Sequence, residues 1–316
     1  FLRKIKVTTI DLKQMIEDTN NNLFDSLEVK ILEHSVLNYS NKTQIVTFEC
    51  FIPRCILAEV NTHRVFSRNT GSTRAIPVKK SITNVASKPF IPFYFGENQP
   101  GMQSKETMVG WKLFLAKKIW NLHRRLTLAS SFLLMKLGLH KMWAGRILEP
   151  HSYVKQVITA TSYDNFFTLR IHGDAQPEIV VMAHKMKELI KKSIPKELNP
   201  AMIHQATHWH LPYITKEERI KYINYPEFLA KISASRCART SYLTQDGVVP
   251  NVERELRTFK MLAEAEPIHA SPLEHQAYPA KQKGTQSRNF TGFIQYRAYY
   301  EEKEFGAPIV IPKVWC

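Results

Sequence analysis

A proline ends the most strand-like run of this chain and so fixes where a helix must begin. Residues 45–52 are apolar and rich in β-branched and aromatic side chains, and Pro53 follows them directly. Proline lacks the backbone N–H that a strand needs and that the first turn of a helix leaves unused. We therefore predict a strand that passes into a helix near Pro53. Helical spacing then places His63 and Arg64 at the C-terminal end of that helix.

Further elements follow from the same kind of pattern. The strand-like segments 27–37 and 44–52 are joined by the polar segment 38–42, which predicts a β-hairpin. Apolar residues recur at helical spacing in 106–139, which predicts one long helix or two joined helices with the apolar face in the core. Pro177 is typical of a helix start, and we expect that helix to end before Pro195.

Length and composition place the chain among globular proteins. Its 316 residues, 44% of them hydrophobic, can bury a core as one large or two modest domains. No apolar run reaches the length of a membrane span, and the opening Phe1-Leu-Arg-Lys shows no secretory signal, so we expect no membrane partner. The four cysteines, Cys50, Cys55, Cys237 and Cys316, lack metal-ligand spacing, which favours a reduced, cytoplasmic setting. The Asn-rich segment 19–22 predicts a turn.

The net charge points to polyanionic partners. Lys and Arg number 44 against 28 Asp and Glu, a formal charge of +16. Nucleic acid is one such partner, although no zinc-finger spacing, basic-zipper heptad or aromatic RNA-binding signature accompanies the charge. Nucleotides, a dinucleotide cofactor and a folate with a glutamate tail are polyanions too. An enzyme that uses them accounts for the same excess without binding nucleic acid.

The densest set of anion-binding groups lies in residues 59–77. Hydroxyls, amides and turn-forming residues there can surround an oxyanion with side-chain and backbone donors. Three arginines add planar forks that hold phosphate bidentately. The turn formers are Ser67, Asn69, Gly71, Ser72 and Thr73, and the arginines are Arg64, Arg68 and Arg74. An ordinary basic loop needs fewer donors, so the set favours a site that binds an oxyanion such as phosphate.

This stretch resembles the signature of the flavin-dependent thymidylate synthases. The family signature is Arg-His-Arg, seven residues, a serine, and an arginine two residues further on. The chain has Thr62-His63-Arg64, seven residues, Ser72 and then Arg74. Thr62 departs from the pattern and removes one cation expected beside the flavin and the nucleotide.

A second segment carries the same resemblance. The family has Leu-Arg, a short loop and Ala-Gln-x-Glu-Ile, and here Leu169-Arg170 precedes Ala175-Gln-Pro-Glu-Ile179. In the family this arginine contacts and activates the uracil, which implies that role for Arg170. The family asparagine beside the flavin falls on Asn165, and the arginine of a further family segment falls on Arg146.

A third region matches the family in an altered order. Three consecutive segments resemble motifs that precede the Arg-His-Arg stretch in the common form of the family. They are residues 235–242, a charged helix with an apolar stripe at Val252, Leu256, Phe259 and Leu262, and residues 269–275. Here they follow that stretch. The chain is therefore similar to longer, rearranged forms carried by bacterial viruses, and His275 corresponds to the flavin-side histidine.

The resemblance implies a reaction and its cofactors. Methylenetetrahydrofolate supplies carbon to dUMP, reduced FAD supplies hydride, NADPH re-reduces the flavin, and the product is dTMP. It implies Arg170 as the catalytic residue. The substrate-binding set is Glu59, Ser72, Thr73, Arg74 and Arg146, and the flavin-binding set is Thr62, His63, Arg64, Asn165 and His275.

Several alternatives stay open on the residues alone. A variant reaction could stop at hydroxymethylation or use a cytosine nucleotide, and a non-catalytic nucleic-acid-binding protein on a synthase-like scaffold would also be basic. Cys237 lies between Arg236 and Arg239, so a cysteine-nucleophile mechanism would have to use it. The close His204, His208 and His210 suggest a metal site, but Trp209, Pro212 and the lack of a nearby Glu argue against one.

The predicted architecture is α+β, with a small antiparallel sheet flanked by long helices. We interpret residues 1–316 as one synthase-like unit. Within it, 1–88 holds the strands, a helix and the nucleotide-binding loop, 105–195 is helical and carries the uracil-contacting arginine, and 230–300 resembles the usual N-terminal third of the family. The resemblance also implies a homotetramer with shared active sites and small-molecule substrates.

Overall fold

A computed structural model describes residues 26–101, 104, 106–244 and 247–306. The predicted turn at 19–22, the opening residues and Cys316 lie outside this part of the chain. Within it, no helix combines the length and the apolar character that crossing a membrane requires.

The described elements alternate between strands and helices. The strands are β1 Glu28–Leu37, β2 Ser40–Pro53, β3 Ser67–Thr70, β4 Tyr153–Ala160, β5 Lys196–Leu198, β6 Ala277–Pro279, β7 Gln286–Ser287, β8 Phe290–Thr291 and β9 Phe293–Gln295. The α-helices are α1 Leu57–Asn61, α2 Val78–Ser87, α3 Gly110–Lys136, α4 Lys141–Ala144, α5 Asp164–Arg170, α6 Pro177–Lys192, α7 Lys216–Lys221, α8 Pro226–Arg239, α9 Val252–Ala263 and α10 Tyr296–Phe305. Short 3-10 helices connect several of them, and the α+β prediction is confirmed.

The main sheet has the strand order β3-β4-β2-β1-β5. β1 and β2 form the predicted hairpin, and β4 pairs antiparallel with both β2 and β3. β5 pairs parallel with β1, so the sheet departs from the antiparallel prediction at that edge. A register shift between Ile31 and Glu33 lets β1 change its pattern of side-chain directions.

Both faces of the sheet are covered, which explains why β2 reads as an almost continuous apolar run. Phe48 and Ile52 belong to one buried cluster with Met182 and Met186 of α6. Thr47 points to the other face, because side chains alternate along a strand. The C-terminal part of the chain packs there, with His210 in hydrogen-bond contact with Thr47. The sheet is thus the middle layer between α6 and the C-terminal part.

The transition at Pro53 is confirmed, but the helix is shorter than predicted. A 3-10 turn, Arg54–Ile56, leads into α1, which ends at Asn61. His63 and Arg64 therefore follow the helix instead of lying in its last turn. The predicted turn beyond them is wrong over Ser67–Thr70, because these polar residues form β3 on the edge of β4.

The helix predicted within 106–139 is a single helix, α3, whose apolar stripe is not in the core of this chain. Trp111, Leu115, Ile119 and Leu122 are all exposed. The buried side chains of α3 are Thr127 and Ser131, on the face toward the rest of the molecule. Helical spacing predicted the helix correctly and its burial wrongly, because periodicity does not say which molecule covers an apolar face.

The C-terminal part is held together by a buried ionic network between α8 and α9. Arg236 is 2% exposed and contacts Glu218 at 2.6 Å and Glu255 at 3.0 Å. Arg239 contacts the other oxygen of Glu255 at 2.7 Å. Of the predicted stripe on α9, Phe259 is buried, Leu256 and Leu262 are partly buried, and Val252 is exposed, so the stripe faces the core only in part.

Candidate active site

Arg170, at the end of α5, is fixed by the residues that follow α1. Its Nε donates to Nε2 of His63 at 2.9 Å. Its Nη2 donates to the Glu59 carbonyl oxygen at 3.2 Å and to Oγ1 of Thr62 at 3.0 Å. These contacts bring four predicted site residues together, and we call Glu59, Thr62, His63 and Arg170 the Arg170 cluster.

The environment of His63 keeps its ring neutral. Burial lowers the pKa of His63 to about 4, and the positive charges of Arg170 and Arg68 add to the effect. Because Nε2 accepts a hydrogen bond from Arg170, the ring proton lies on Nδ1. The ring packs edge-on against Phe166 with centroids 4.9 Å apart. His63 therefore acts here as a rigid acceptor that orients the guanidinium.

Thr62, the departure from the family pattern, has a role that the sequence did not reveal. Its hydroxyl donates to the Glu59 carbonyl at 2.6 Å and accepts from Arg170. An arginine at this position would bring a second cation to a place where the Arg170 guanidinium already donates. The threonine instead supplies an acceptor, so it supports the orientation of Arg170.

The predicted phosphate-binding residues lie apart from the Arg170 cluster, near the carboxylate of Glu149. Oγ1 of Thr73 donates to Oε1 of Glu149 at 2.5 Å, and Nη1 of Arg54 lies 3.6 Å from the same oxygen. Arg146 begins the 3-10 helix that carries Glu149 and lies close enough to Arg54 for its charge to lower the Arg54 pKa, after the larger effect of burial. Thr73 and Arg146, which are 73 positions apart by number, thus belong to one corner of the molecule.

A cavity of about 340 Å³ opens beside this corner. Arg54 and Thr73 contribute polar groups to its wall, and Tyr153 contributes an aromatic ring. Nε of Arg54 is buried without a hydrogen-bond partner, as is Oε2 of Glu59 in the Arg170 cluster. Each of these two atoms is a buried polar group that a hydrogen-bond partner from a ligand would satisfy.

The remaining predicted contacts lie at the surface. Arg64 follows α1, Asn165 lies on α5, and Ser72, Arg74 and Arg146 surround the Glu149 corner, all of them exposed. Ser72 accepts from the backbone N–H of Arg74 at 3.3 Å and so caps the short 3-10 helix Thr73–Ala75. Their position suits ligand contact, and their roles stay predictions.

His275, predicted at the flavin, is instead fully buried, with both ring nitrogens engaged. Nδ1 lies 2.8 Å from Oγ1 of Thr159, and Nε2 lies 2.9 Å from the side-chain amide of Asn69. Thr159 continues to Thr47 at 2.7 Å, and Thr47 to Nε2 of His210 at 2.8 Å. A direct contact between His275 and a ligand therefore requires a rearrangement, whereas its neighbour Asn69 is only partly buried.

We expect His210 to make the fold sensitive to mild acid. Burial lowers its pKa from 6.5 to about 3, so the unfolded chain binds the proton more readily than the folded one. The resulting stability is complete above pH 6.5 and is lost as the pH falls toward 3, at about 1.4 kcal/mol per pH unit. Glu33 shifts stability in the same direction, but only below its ordinary value of 4.5.

Urea unfolding at pH 7 and pH 5 tests this expectation. His210→Gln should lose about 2 kcal/mol less between the two pH values than the native chain, because one titrating histidine is gone. Other histidines titrate equally in both proteins and cancel in the comparison. An equal loss in both proteins would contradict a neutral, buried His210.

Cys237 does not have the environment of a nucleophile. It is fully buried, and burial raises the pKa of its thiol well above the ordinary value despite Arg236 and Arg239 nearby. We expect Cys237→Ala to keep the native turnover per folded molecule, whereas loss of a true nucleophile lowers turnover by several orders of magnitude. Cys50→Ala, at another buried cysteine, controls for general loss of packing.

The histidines near 204–210 do not converge. Nδ1 of His208 accepts the backbone N–H of Asn199 at 3.2 Å, and His210 lies between Ser35 and Thr47. Among the residues that the structure describes, no group of three or more His, Cys, Asp or Glu could hold a metal ion. The close spacing of these histidines thus reflects separate structural contacts.

Sequence reasoning missed the groups that join distant segments. Arg54 and Glu149 had no motif, although each belongs to the corner that holds Thr73. Thr47 was read only as a strand residue, Thr159 lies in a strand that was not predicted, and His210 was considered only as a metal candidate. An inward hydroxyl in an otherwise apolar strand is the one signal that could have identified the two threonines.

Comparison with known proteins identifies the family to which this chain belongs. The model of the family described as "thymidylate synthase complementing protein" matches residues 6–196. No curated protein matches the chain. Two structures of a UMP/dUMP methylase, PolB from Streptomyces cacaoi, resemble it at 16% and 15% identity, each with a TM-score of 0.45. The first, bound with 5-Br UMP, covers 52% of this chain and 89% of its own, and the second, bound with 5-Br dUMP, covers 63% and 96%.

Proposed function

The chain belongs to the thymidylate synthase complementing protein family, the flavin-dependent synthases that its motifs resemble, and on that basis we propose that it methylates dUMP reductively to dTMP. Methylenetetrahydrofolate is the proposed carbon donor and NADPH the proposed reductant, with FAD as cofactor. The match covers the segments that carry Arg170, the Thr62-His63-Arg64 stretch and Ser72. The segment 230–300 lies beyond it, so its correspondence to the usual N-terminal third stays a prediction.

The observation that carries the proposal is the preorganised guanidinium of Arg170. Among the described residues, its hydrogen bonds use Nε and Nη2, which leaves the two N–H groups of Nη1 for a ligand. Methyl transfer to carbon 5 of uracil requires negative charge to develop on the ring. A fixed N–H donor stabilises such charge without reorganising at the moment of reaction.

The donor set around the Arg170 cluster fits a flavin nucleotide. Arg64 and Asn165 present a cationic fork and an amide at the surface, and both suit a pyrophosphate or a flavin ring edge. The unpartnered buried Oε2 of Glu59 is an acceptor that a ribityl hydroxyl or a ring N–H would satisfy. When bound, the flavin supplies the hydride, and the protein contributes orientation and charge. Thr62, His63, Arg64 and Asn165 are the residues proposed to hold it, with His275 acting from behind Asn69.

The Glu149 corner is the proposed phosphate end of the substrate site. Ser72, Arg74 and Arg146 are exposed around Thr73, and two of the three can hold a phosphate oxygen with a planar fork. Arg54 stabilises this corner by donating to the Gly71 carbonyl at 3.1 Å. Part of the positive charge of the chain would thereby lie beside the doubly negative phosphate of the substrate.

The proposal includes an assembly of several copies, as the family resemblance implies. Leu115, Ile119, Leu122, Leu126 and Leu133 are exposed and follow the heptad spacing with which two α-helices pack against each other. An exposed apolar stripe of this length is unusual on a monomer. A second copy of this chain is its proposed occupant, through the same helix α3. Light scattering of the purified protein should give a multiple of 36.6 kDa, and a monomer would exclude this part of the proposal.

An absorbance spectrum followed by product mass tests the reaction. The purified protein, reconstituted with FAD, should show flavin absorbance and should convert dUMP anaerobically, with methylenetetrahydrofolate and NADPH, into a product one methyl group heavier. A hydroxymethyl product would instead identify the variant chemistry. Absence of flavin binding after reconstitution would exclude the flavin enzyme.

A further inference from the structure

A chain of buried hydrogen bonds crosses the main sheet from β1 to the edge strand β3. It links six side chains, none more than 3.0 Å from the next, through residues that lie up to 206 positions apart in sequence. In order from the interior, they are Ser35, His210, Thr47, Thr159, His275 and Asn69. We call this set the polar chain.

The Asn69 amide sets the direction of every hydrogen bond in the polar chain. The inward-facing atom of this amide lies 2.9 Å from Nε2 of His275, 3.0 Å from the Ser271 carbonyl oxygen and 3.2 Å from the Arg68 carbonyl oxygen. Both carbonyl oxygens can only accept hydrogen bonds, so the amide NH₂ must occupy this position. Nε2 of His275 then accepts as well, and the ring proton of His275 lies on Nδ1.

The remaining protons follow in sequence. Nδ1–H of His275 donates to Thr159, whose hydroxyl donates to Thr47, whose hydroxyl donates to Nε2 of His210. His210 then donates from Nδ1 to Ser35. All these bonds run in one direction, and aligned bonds of this kind polarise and strengthen one another. The polar chain is thus consistent with one orientation of the Asn69 amide, in which its NH₂ group donates to His275.

The consequence appears at the outer end of the polar chain. With its nitrogen turned inward, Asn69 presents Oδ1 on its exposed side, near Oγ of Ser271 at 3.5 Å. The preceding residue, Arg68, donates to the His63 carbonyl at 3.4 Å and so reaches the Arg170 cluster. The edge strand β3 therefore carries groups of both the polar chain and the candidate active site.

We propose that Asn69 is a ligand-binding residue whose Oδ1 accepts the N–H of a planar imide ring, with His275 and Thr159 as positioning residues behind it. The ligand class rests on the proposed function, because the uracil of dUMP and the ring system of FAD each carry one imide N–H between two carbonyl groups. A carbonyl acceptor with a fixed direction matches that single donor. An amide side chain free to rotate would present its NH₂ group as often as its oxygen, and the NH₂ group, itself a donor, cannot accept the imide N–H.

Ligand titrations distinguish the two imide sources. Asn69→Ala should weaken binding of the responsible ligand about tenfold, because one hydrogen bond to it is lost, and should leave the affinity for its N3-methyl derivative unchanged. dUMP and 3-methyl-dUMP form one arm, and FAD and 3-methyl-FAD form the other. Thr159→Val should weaken binding of the same ligand, and Thr159→Ser should retain the native affinity. Asn38→Ala in the hairpin turn and Thr83→Val on α2 are the matched controls.

Histidine tautomers give a readout that needs no ligand. In ¹⁵N-histidine-labelled protein near neutral pH, the His275 signals, assigned by their loss in His275→Gln, should show the proton on Nδ1. Asn69→Asp replaces the donor by a carboxylate that can only accept, so the proton should move to Nε2. A proton on Nε2 in the native protein would overturn the proposed direction of the chain.

The outcomes separate this inference from the function on which it rests. A native chain that binds and methylates dUMP, while Asn69→Ala changes neither affinity beyond the controls, overturns the inference alone. A native chain that binds neither FAD nor dUMP overturns the proposed function and the imide ligand together. If Asn69→Ala lowers the affinity for either dUMP or FAD and leaves the affinity for the N3-methyl derivative of that ligand unchanged, both the contact and its ligand are established.

Discussion

Arg170→Ala is expected to lower the turnover of dUMP about 100-fold or more, the usual effect of removing one fixed donor to developing charge. The guanidinium is held by His63, Thr62 and the Glu59 carbonyl, and alanine removes every N–H aimed from it toward a ligand. Steady-state rates with saturating dUMP and flavin measure the loss. Because the contacts of Arg170 orient the group and do not bury it fully, we expect the variant to stay folded.

Two further variants make the Arg170 result specific. Arg170→Lys keeps the charge but cannot reproduce the planar fork that contacts His63 and Thr62 together, so it should not restore turnover. Arg257→Ala should leave turnover unchanged, because it removes an exposed arginine whose ion pair is with Glu253, one helical turn away. Native rates in Arg170→Ala would remove Arg170 from the proposed mechanism.

Glu255→Ala is expected to destabilise the fold by about 3–5 kcal/mol, because it leaves buried arginine charge without its partner. The Glu255 side chain is 0% exposed and contacts Arg236 at 3.0 Å and Arg239 at 2.7 Å, which ties α9 to α8. Arg236 keeps Glu218 as a partner, but Arg239 does not have that alternative among the contacts described. The free energy of unfolding in urea, at one protein concentration and pH 7, measures the change.

The same helix offers a matched control. Glu253 lies two positions away on α9, with its side chain 79% exposed in a pair with Arg257. Glu253→Ala should change the free energy of unfolding by less than about 0.5 kcal/mol. Equal effects from the two substitutions would mean that the buried network contributes no more to stability than a surface ion pair.

Local pattern was sufficient for much of the fold. Residues close to one another in sequence predicted three features: the hairpin of β1 and β2, the change from strand to helix at Pro53, and the helix that begins at Pro177. Spacing decides such elements because backbone conformation and side-chain periodicity are set by near neighbours. β3 escaped prediction, since its four polar residues have little strand preference and are extended only by pairing with β4.

The candidate site divides in the same way. The resemblance of short motifs identified Arg170, the Thr62-His63-Arg64 stretch and the Ser72–Arg74 loop, and the family match covers these segments. It did not show that Thr62 serves as an acceptor for Arg170, because that contact joins positions 108 residues apart. The assigned roles of the exposed residues stay predictions that the experiments above address.

By itself, the sequence determined the family, the main helices and strands, and the residues able to bind anions, because these depend on residue type and short-range spacing. Only the tertiary structure decided that His275 is buried behind Asn69 and that the α3 stripe is exposed. It also decided that Thr47 and Thr159 join two histidines into one directed chain, since the register between β2 and β4 places the threonines opposite each other. Strand register is a property of the whole sheet, and no local pattern in either strand specifies which side chain the other will present.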